Sequence, residues 1–461
     1  MVKFNLIIVF ILLLGYSFSQ EAIIKGTVKD DQGDGIPFAK IAIKGSNEGT
    51  LSDLDGKYQL NAIPSDSLVL IFSASGYSRQ EIRYNGVDVI DVVLVSEVKQ
   101  YDEVVVVGYG ESTAKELTGA SSKVSGEDVE KMNLSRMDQA LQGQVSGVNI
   151  STNSGSPGGS SNIRIRGLST FGDNDPLILV DGVVYDAAGL NALNPSDIKS
   201  INVLKDATAG IYGVRAANGV IIVETKTGKL NQKNTVEYNG YYGIQQTSNK
   251  LNLLNAEEYA IIKNEMFGTA GEPMPFSNTA LGVGTNWQDT IFRNTPIQSH
   301  NFSVSGGSNN TRYNIGLGYF SQDGIVGGTK AQFDRYNARI NFSTDLSKKL
   351  TWNSIFLYSN EYRNSLPEGG IGSVLYNTVN AFPTAPVVRP DGNYSYLEEV
   401  SDIINPVAQI ENQFNDAWTD KLVGKQEFIF DFNEHLSFTN RFSYNYASVD
   451  SKVFSPLVWY G

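Results

Sequence analysis

The side chains able to do covalent or metal chemistry are few. The 461 residues hold two histidines, His300 and His435, and no cysteine. Thiol nucleophiles, cysteine zinc sites, disulfides and lipid-modified N-terminal cysteines are therefore excluded. Neither histidine has a Ser/Asp or metal-ligand constellation around it, and both read as structural. The pairs Glu257-Glu258 and Glu398-Glu399 could act as general acid and base of a glycosidase only if the fold set them at the right separation. A solvated loop is the simpler reading. The acidic stretches Asp30–Gly35 and Asp53–Gly56 suggest calcium, but position 12 counted from Asp30 is Ile41, where a calcium loop needs a bidentate glutamate. They read as hairpin turns. The Gly/Ser-rich run Asn153–Asn162 lacks the Gly-Lys-Ser/Thr of a phosphate loop and reads as a flexible loop. No catalytic residue, metal or cofactor is expected, and the chain is not read as an enzyme. A net charge of −13 argues against nucleic acid as a partner.

What remains is backbone pairing and guanidinium chemistry. Asp102, Glu103 and the valines Val104, Val105, Val106 and Val107 stand between a polar stretch and a Gly-Tyr-Gly. Four successive valines are strongly β-prone. Such a segment can add as a strand to the sheet edge of another protein, or be a core strand of the domain before it; the residues alone leave both open. Arg164 and Arg166 alternate with Ile163 and Ile165, which on a strand sets both arginines on one face. There they could bridge carboxylates bidentately or form a plain solvated face.

The elements that must position these groups fall into zones. A charged Met1–Lys3, an 11-residue apolar run from Phe4 to Leu14 and small residues before Gln20 make residues 1–19 a secretory signal peptide; the run is too short for a membrane helix. Residues 20–98 alternate short β-type runs with turn signals, the texture of a small antiparallel sandwich. Residues 99–112 hold the valine segment. Residues 113–230 mix short helices, at Gly126–Met132 and Met137–Gln142, with strands at Val148–Thr152, Ile163–Ile165, Leu177–Val180, Ile201–Leu204 and Val220–Thr225. Asp206 can cap a helix that Gly213 stops. Residues 231–461 carry about seven period-two runs, among them Val236–Ile244, Tyr313–Tyr319 and Tyr336–Phe342. Each is about ten residues long, enough for a tilted strand to cross a bilayer. Tight turns at 307–310, 345–349 and 433–435 alternate with longer connections at 247–296, 322–333 and 360–420, the layout of a membrane β-barrel. A plug inside such a barrel is expected to hold the wall through exchangeable charge pairs rather than a dry core, with Arg164 and Arg166 as its latch to wall carboxylates. The fold class expected is mainly β: sandwich, α+β plug, then an incomplete antiparallel barrel.

Several strings support a family resemblance. Gly26–Leu60 resembles the carboxypeptidase regulatory-like (transthyretin-like) β-sandwich. Ile163–Gly167, Asp175–Gly182, Asn194–Ile198, Val203–Thr208, Ile211–Val220 and Glu224–Lys229 follow in order and resemble the plug of TonB-dependent outer-membrane transporters, more narrowly the SusC/RagA branch. Thr285–Asn294 and His300–Ser308 resemble that branch's first barrel segments. The plug-motif residues are Gly167, Asp181, Gly182, Lys205, Asp206, Tyr212, Gly213, Arg215, Asn218 and Gly219. The resemblance implies that Asp102–Val107 is the TonB box, which TonB, energised through ExbB and ExbD, pairs with as an added strand. It also implies a Bacteroidota-type outer membrane with the N-terminal domains in the periplasm, a SusD-like surface lipoprotein as partner, and import of a glycan or oligosaccharide, less commonly a peptide. The family's barrels have about 22 strands, so about seven lead us to expect an N-terminal portion of a transporter. Two other readings remain: a sensory transporter signalling to an anti-sigma factor, and a secreted carbohydrate-binding β-protein.

Overall fold

The computed structural model describes residues 22–456 apart from 31–32, 47, 63–67, 75–76, 96–103, 108–109, 114–120, 133–135, 153, 160, 169–170, 173, 186, 206, 398–401 and 434. The signal-peptide reading, Asp102, Glu103, Asp206 and the Glu398-Glu399 pair lie outside the described residues. The chain forms two compact units, Met1–Val104 and Val105–Gly461.

The first unit is a sandwich. One sheet sets Lys57–Ala62, Ala22–Lys29 and Val92–Val93 side by side, and the other Gly49–Leu51, Lys40–Ile43, Val69–Ser73 and Gln80–Arg83. Alternation explains the core: along Lys57–Ala62 the residues Tyr58, Leu60 and Ala62 are buried and those between are exposed. They meet Ile24 and Val28 of the neighbouring strand and Ile41, Leu70 and Phe72 of the other sheet. The strands Gly49–Leu51 and Gln80–Arg83 were not read from sequence; both are short and polar. At Asp53 the carboxylate accepts the backbone N–H of Asp55 at 3.0 Å and of Lys57 at 2.8 Å. Gly56 follows at φ 77°, and a Cβ there would stand 2.4 Å from the Val28 carbonyl. The acidic stretch is thus a side-chain-closed hairpin turn.

In the second unit, residues 121–225 build a five-stranded sheet in the order Ser121–Ser125, Ile198–Leu204, Val220–Thr225, Leu177–Val180 and Val183–Tyr185. Leu177–Val180 runs parallel to Val220–Thr225, and the other neighbours are antiparallel. A separate hairpin pairs Val148–Thr152 with Ser161–Ile165. The helix Gly126–Lys131 is capped by Ser125, whose side chain accepts from the Asp128 N–H. Gly213, at the non-helical φ 72° and ψ −160°, separates two short helical turns within Ala207–Ala216, and so ends the first of them as expected.

A seven-stranded sheet follows: Thr235–Gln245, Thr295–Gly307, Thr311–Gly324, Gly328–Ser347, Leu350–Asn364, Phe414–Asn433 and Leu436–Phe454. Each strand is antiparallel to the next in chain order. The strands run from 11 to 20 residues, longer than the ten expected, because pairing continues past the apolar stretch. The expected long connection at 322–333 is accordingly a hairpin, with only residues 325–327 between strands. The other two long connections fold onto each other. Trp287 donates its indole N–H to the Phe382 carbonyl at 2.9 Å and packs with Leu397 and Ile403.

Candidate functional site

The seven-stranded sheet is inside out for a water-soluble protein. Along Gly328–Ser347 the residues Arg335, Arg339 and Asn341 are buried, whereas Tyr336 and Ile340 are exposed. Leu317 is 55% exposed and Arg339 1%. Polar groups turn inward because the 121–225 domain lies against that face, and buried polar groups need partners. A sheet that shows Val236, Tyr238, Leu317 and Phe438 outward is stable where the solvent on that side is lipid.

The inward face grips the plug through hydrogen bonds. Arg335 donates to the Asn191 carbonyl at 2.6 Å, and Asn337 to the Ala192 carbonyl at 2.7 Å. Arg339 pairs with Asp197 at 3.0 Å and donates to the Lys226 carbonyl. Asn341 donates to the Thr225 hydroxyl at 2.7 Å, and that hydroxyl donates to the Asp181 carboxylate at 2.7 Å. Lys425 donates to the Asp181 carbonyl at 2.7 Å. The Lys421 ammonium lies 4.7 Å from the Tyr185 ring centre, a cation–π contact.

Of the expected latch, one pairing is seen. Arg164 pairs with Asp175 of the plug itself. Arg166 lies beyond the end of its strand, exposed, at φ 59°, so the two arginines do not share a strand face. Ile163 and Ile165 are buried as the alternation requires. Arg335, Arg339, Lys421 and Lys425, which bridge plug and wall among the described residues, belong to the wall. Nor is the interface purely polar: Ile355, Leu357 and Val423 of the wall join the plug's own apolar core. The wall residues were legible in principle, since Arg335, Asn337, Arg339 and Asn341 all alternate against Tyr336, Ala338, Ile340 and Phe342.

The plug-motif residues mostly shape the plug. Asp181 and Gly182 carry φ 49° and 82° between two strands joined by a two-residue turn, the geometry of a type I′ hairpin. The Asp181 carboxylate also accepts the Thr225 N–H at 2.9 Å. Burial pushes this carboxyl above the ordinary aspartate range, against the opposing pull of Thr225, Lys425 and Arg339. Gly219 is required by close approach: a Cβ there would meet Ile165 at 2.8 Å. Lys205 donates to Ser122 at 2.7 Å, Asn218 to the Asp175 carbonyl at 3.4 Å, and Tyr212 packs on Leu179 and Leu204. Gly167 has φ 101°, and Gly213 and Arg215 are exposed. Val104–Val107 is a strand paired with Gly110–Thr113. His300 faces outward and bonds Tyr238 at 2.7 Å. No cluster of potential metal ligands exists among the described residues.

A polar-lined wall with an apolar outer face, closed by an α+β domain, defines the plug-in-barrel class of membrane protein. Residues 113–220 match the TonB-dependent Receptor Plug Domain, and residues 24–106 the CarboxypepD_reg-like domain. The chain is 38% identical over 418 residues to TonB-dependent receptor P26 of Formosa agariphila, covering 89% of this chain and 41% of that protein. It is 34% identical over 410 residues to TonB-dependent receptor SusC of Bacteroides thetaiotaomicron, covering 86% and 39%. The RagAB peptide importer in its open-open state shares the fold at a TM-score of 0.67 and 23% identity, over 76% of this chain and 43% of that one. The chain belongs to the SusC-like TonB-dependent receptors of the outer membrane. It spans about two fifths of the length of the curated relatives it matches.

Proposed function

We propose that this chain supplies the plug and the first wall strands of an energised importer that brings a nutrient, a glycan or oligosaccharide, across the outer membrane. The observation that carries the reading is the inverted sheet whose buried arginines hold the plug. Such an arrangement closes a pore with a body that polar contacts can release without exposing a whole apolar core. Cargo binds on the side of the long connections, with a SusD-like lipoprotein as lid. Binding frees Asp102–Val107 on the periplasmic side. TonB, driven by ExbB and ExbD, pairs with that segment as an added strand, and its pull shifts the plug. The four valines of this segment are β-prone and need no side-chain pocket for such pairing.

The test is deletion of residues 102–107 in the protein as its host makes it. Growth on the imported glycan is expected to be abolished while glycan binding at the cell surface persists. Unchanged growth overturns the TonB reading. Growth on peptides but on no glycan overturns the cargo reading alone.

A further inference from the structure

The inward face of the wall carries its charges in an order that seating the plug does not require. On the four strands between Gly328 and Phe454, residues directly opposite in register share one face. The inward tiers can be followed from the long connections toward the short turns. Arg363 lies opposite Phe333 and Ala417, Arg335 opposite Glu361, and Lys421 opposite Ser359. Arg339 follows opposite Leu357, Lys425 opposite Ile355, and Arg441 opposite Glu427. Each of six successive tiers holds one cation, and neighbouring tiers are two residues apart, about 7 Å along a strand. The carboxylates in these tiers are Glu361 and Glu427, two against six cations. The first three strands add one charge of each sign, Glu237 and Arg312, and Asp345 and Asp431 lie below the ladder at the short turns. This surplus of positive charge stands in a chain whose net charge is −13.

Holding the plug does not call for so many cations. Arg339 meets a plug carboxylate, Asp197. Arg335, Lys425 and Arg363 instead donate to the neutral carbonyls of Asn191, Asp181 and Pro157, and Arg441 pairs with Glu427 of the wall itself. A carbonyl can be held by an amide: Asn337 reaches the Ala192 carbonyl and Asn341 the Lys226 carbonyl from the same strand. Burying a guanidinium or an ammonium costs more than burying an amide. Arg339 also keeps its Nε–H without a partner among the described residues. Positive charge beyond what the plug uses, repeated tier by tier, suits a second partner that is negatively charged and itself repeats.

We propose that this ladder is the track of an anionic cargo, an oligosaccharide whose repeating units carry carboxylate or sulfate groups. The proposal rests on the reading of the chain as part of a glycan importer and names the class of glycan. Cargo that passes the plug meets the inward face of the wall. There the guanidinium and ammonium groups give charge-assisted hydrogen bonds to oxyanions, and six tiers let the chain move from one cation to the next without leaving the field of the ladder. A neutral glycan draws no such benefit from buried cations. An acidic peptide, whose charges follow no fixed repeat, fits the regular ladder less well.

The test uses the transporter as its host makes it, and reads the uptake of end-labelled probes that is lost on deletion of residues 102–107. Oligogalacturonate and a sulfated galactan oligosaccharide are the charged probes. Each is set beside its own uncharged form, the methyl ester and the desulfated chain, with starch oligosaccharides and an oligoglutamate alongside. Deletion-sensitive uptake of a charged chain is expected to exceed that of its uncharged form by about tenfold. Uptake of oligogalacturonate alone assigns the ladder to carboxylates, and uptake of the sulfated chain alone to sulfates. Equal uptake of charged and uncharged forms, or deletion-sensitive uptake of starch oligosaccharides alone, overturns this inference and leaves the import reading standing. Uptake of oligoglutamate alone overturns both this inference and the glycan cargo, and deletion-sensitive uptake of no probe overturns this inference. Lys425→Gln with Arg363→Gln examines the ladder itself: uptake of the charged chain is expected to fall by about tenfold, and Lys425→Arg with Arg363→Lys to restore it. No fall in the glutamine pair, or an equal fall in both pairs, overturns the role of these cations. The comparison of charged and uncharged probes on the unaltered protein decides the proposal where a variant does not reach the membrane.

Discussion

The sandwich and the seven-stranded sheet are written in the same period-two pattern and obey opposite burial rules. In the sandwich Phe72, Leu70 and Ile24 are fully buried and Lys44 and Glu81 pair at the surface. In the sheet Arg335 and Arg339 are buried and Leu317 and Phe438 are outside. Alternation says that a strand has two unlike faces; it does not say which face meets solvent. The second sheet decides this in the sandwich, and the plug decides it in the wall. The buried arginines are tolerable because partners take up their hydrogen bonds: Asp197 and the Asn191 and Lys226 carbonyls from another domain, and Asn314 and Asn337 from the wall itself.

The largest test of that contrast removes a buried wall cation. Arg339→Ala leaves Asp197 enclosed without its partner, an expected cost of about 3–5 kcal/mol to plug seating. Hydrogen exchange in residues 195–198 and 225–226 should accelerate by orders of magnitude. Loss of the exposed Lys44–Glu81 pair should change the protection of residues 69–83 only slightly, since surface pairs contribute little. Equal responses would mean that the wall contacts are no more than surface contacts.

The next test asks what the exposed apolar groups are exposed to. Leu317→Arg on the wall should cost about 2–4 kcal/mol in a bilayer, the range for a cation on a lipid-facing barrel position. Ile23→Arg, at a comparably exposed position of the sandwich (47% against 55%), should change stability by about 0.5 kcal/mol or less, as for a surface substitution in water. Denaturant midpoints of the two regions in lipid vesicles distinguish them. A Leu317→Arg wall as stable as the parent would remove lipid from that face.

The limits of the sequence follow from the same contrast. Strands at Val148–Thr152, Leu177–Val180 and Val220–Thr225 agree with the structure residue for residue, because β-branched runs with turn residues on both sides leave little choice. The edge strand Ser121–Ser125 was missed because Ser-Ser-Lys-Val-Ser has one apolar residue and takes its place from its neighbour. Strand ends were underestimated in the wall, where pairing continues into polar sequence that no lipid pattern marks. The wall cations are hard to read for a related reason. Arg164 and Arg166 stand out as charges on a short apolar strand, whereas Arg335 and Arg339 sit in a longer alternation where charge looks ordinary. The contacts that matter join residues more than a hundred positions apart, such as Arg335 with Asn191 and Asn341 with Thr225, and no local pattern encodes which inward residue meets which plug carbonyl.

The smallest expected effects are the most diagnostic, because the two regions should titrate with opposite sign. In the plug, burial raises the Asp181 carboxyl above its unfolded value. The folded state then favours the protonated form, so the contribution of this group is most stabilising below the unfolded pKa and declines as pH rises toward the folded one. In the sandwich, the hydrogen bond from Lys44 is the chief influence holding the Glu81 carboxyl below the usual range, with Arg79 adding to it. That contribution is present above the unfolded pKa and fades as pH falls through the folded one. Between about pH 3 and pH 6, bracketing ordinary carboxylates, Asp181→Asn should flatten a downward trend in the protection of residues 220–225. Glu81→Gln should flatten a shallower upward trend in residues 69–83, one that added salt also erases because the pair is exposed. Protection factors corrected for intrinsic exchange, measured on one protein across that range, compare both at once. Trends of the same sign would mean that the Asp181 carboxylate is governed by Lys425 and Arg339 rather than by its enclosure, and that the plug, like the sandwich surface, is held by simple charge attraction.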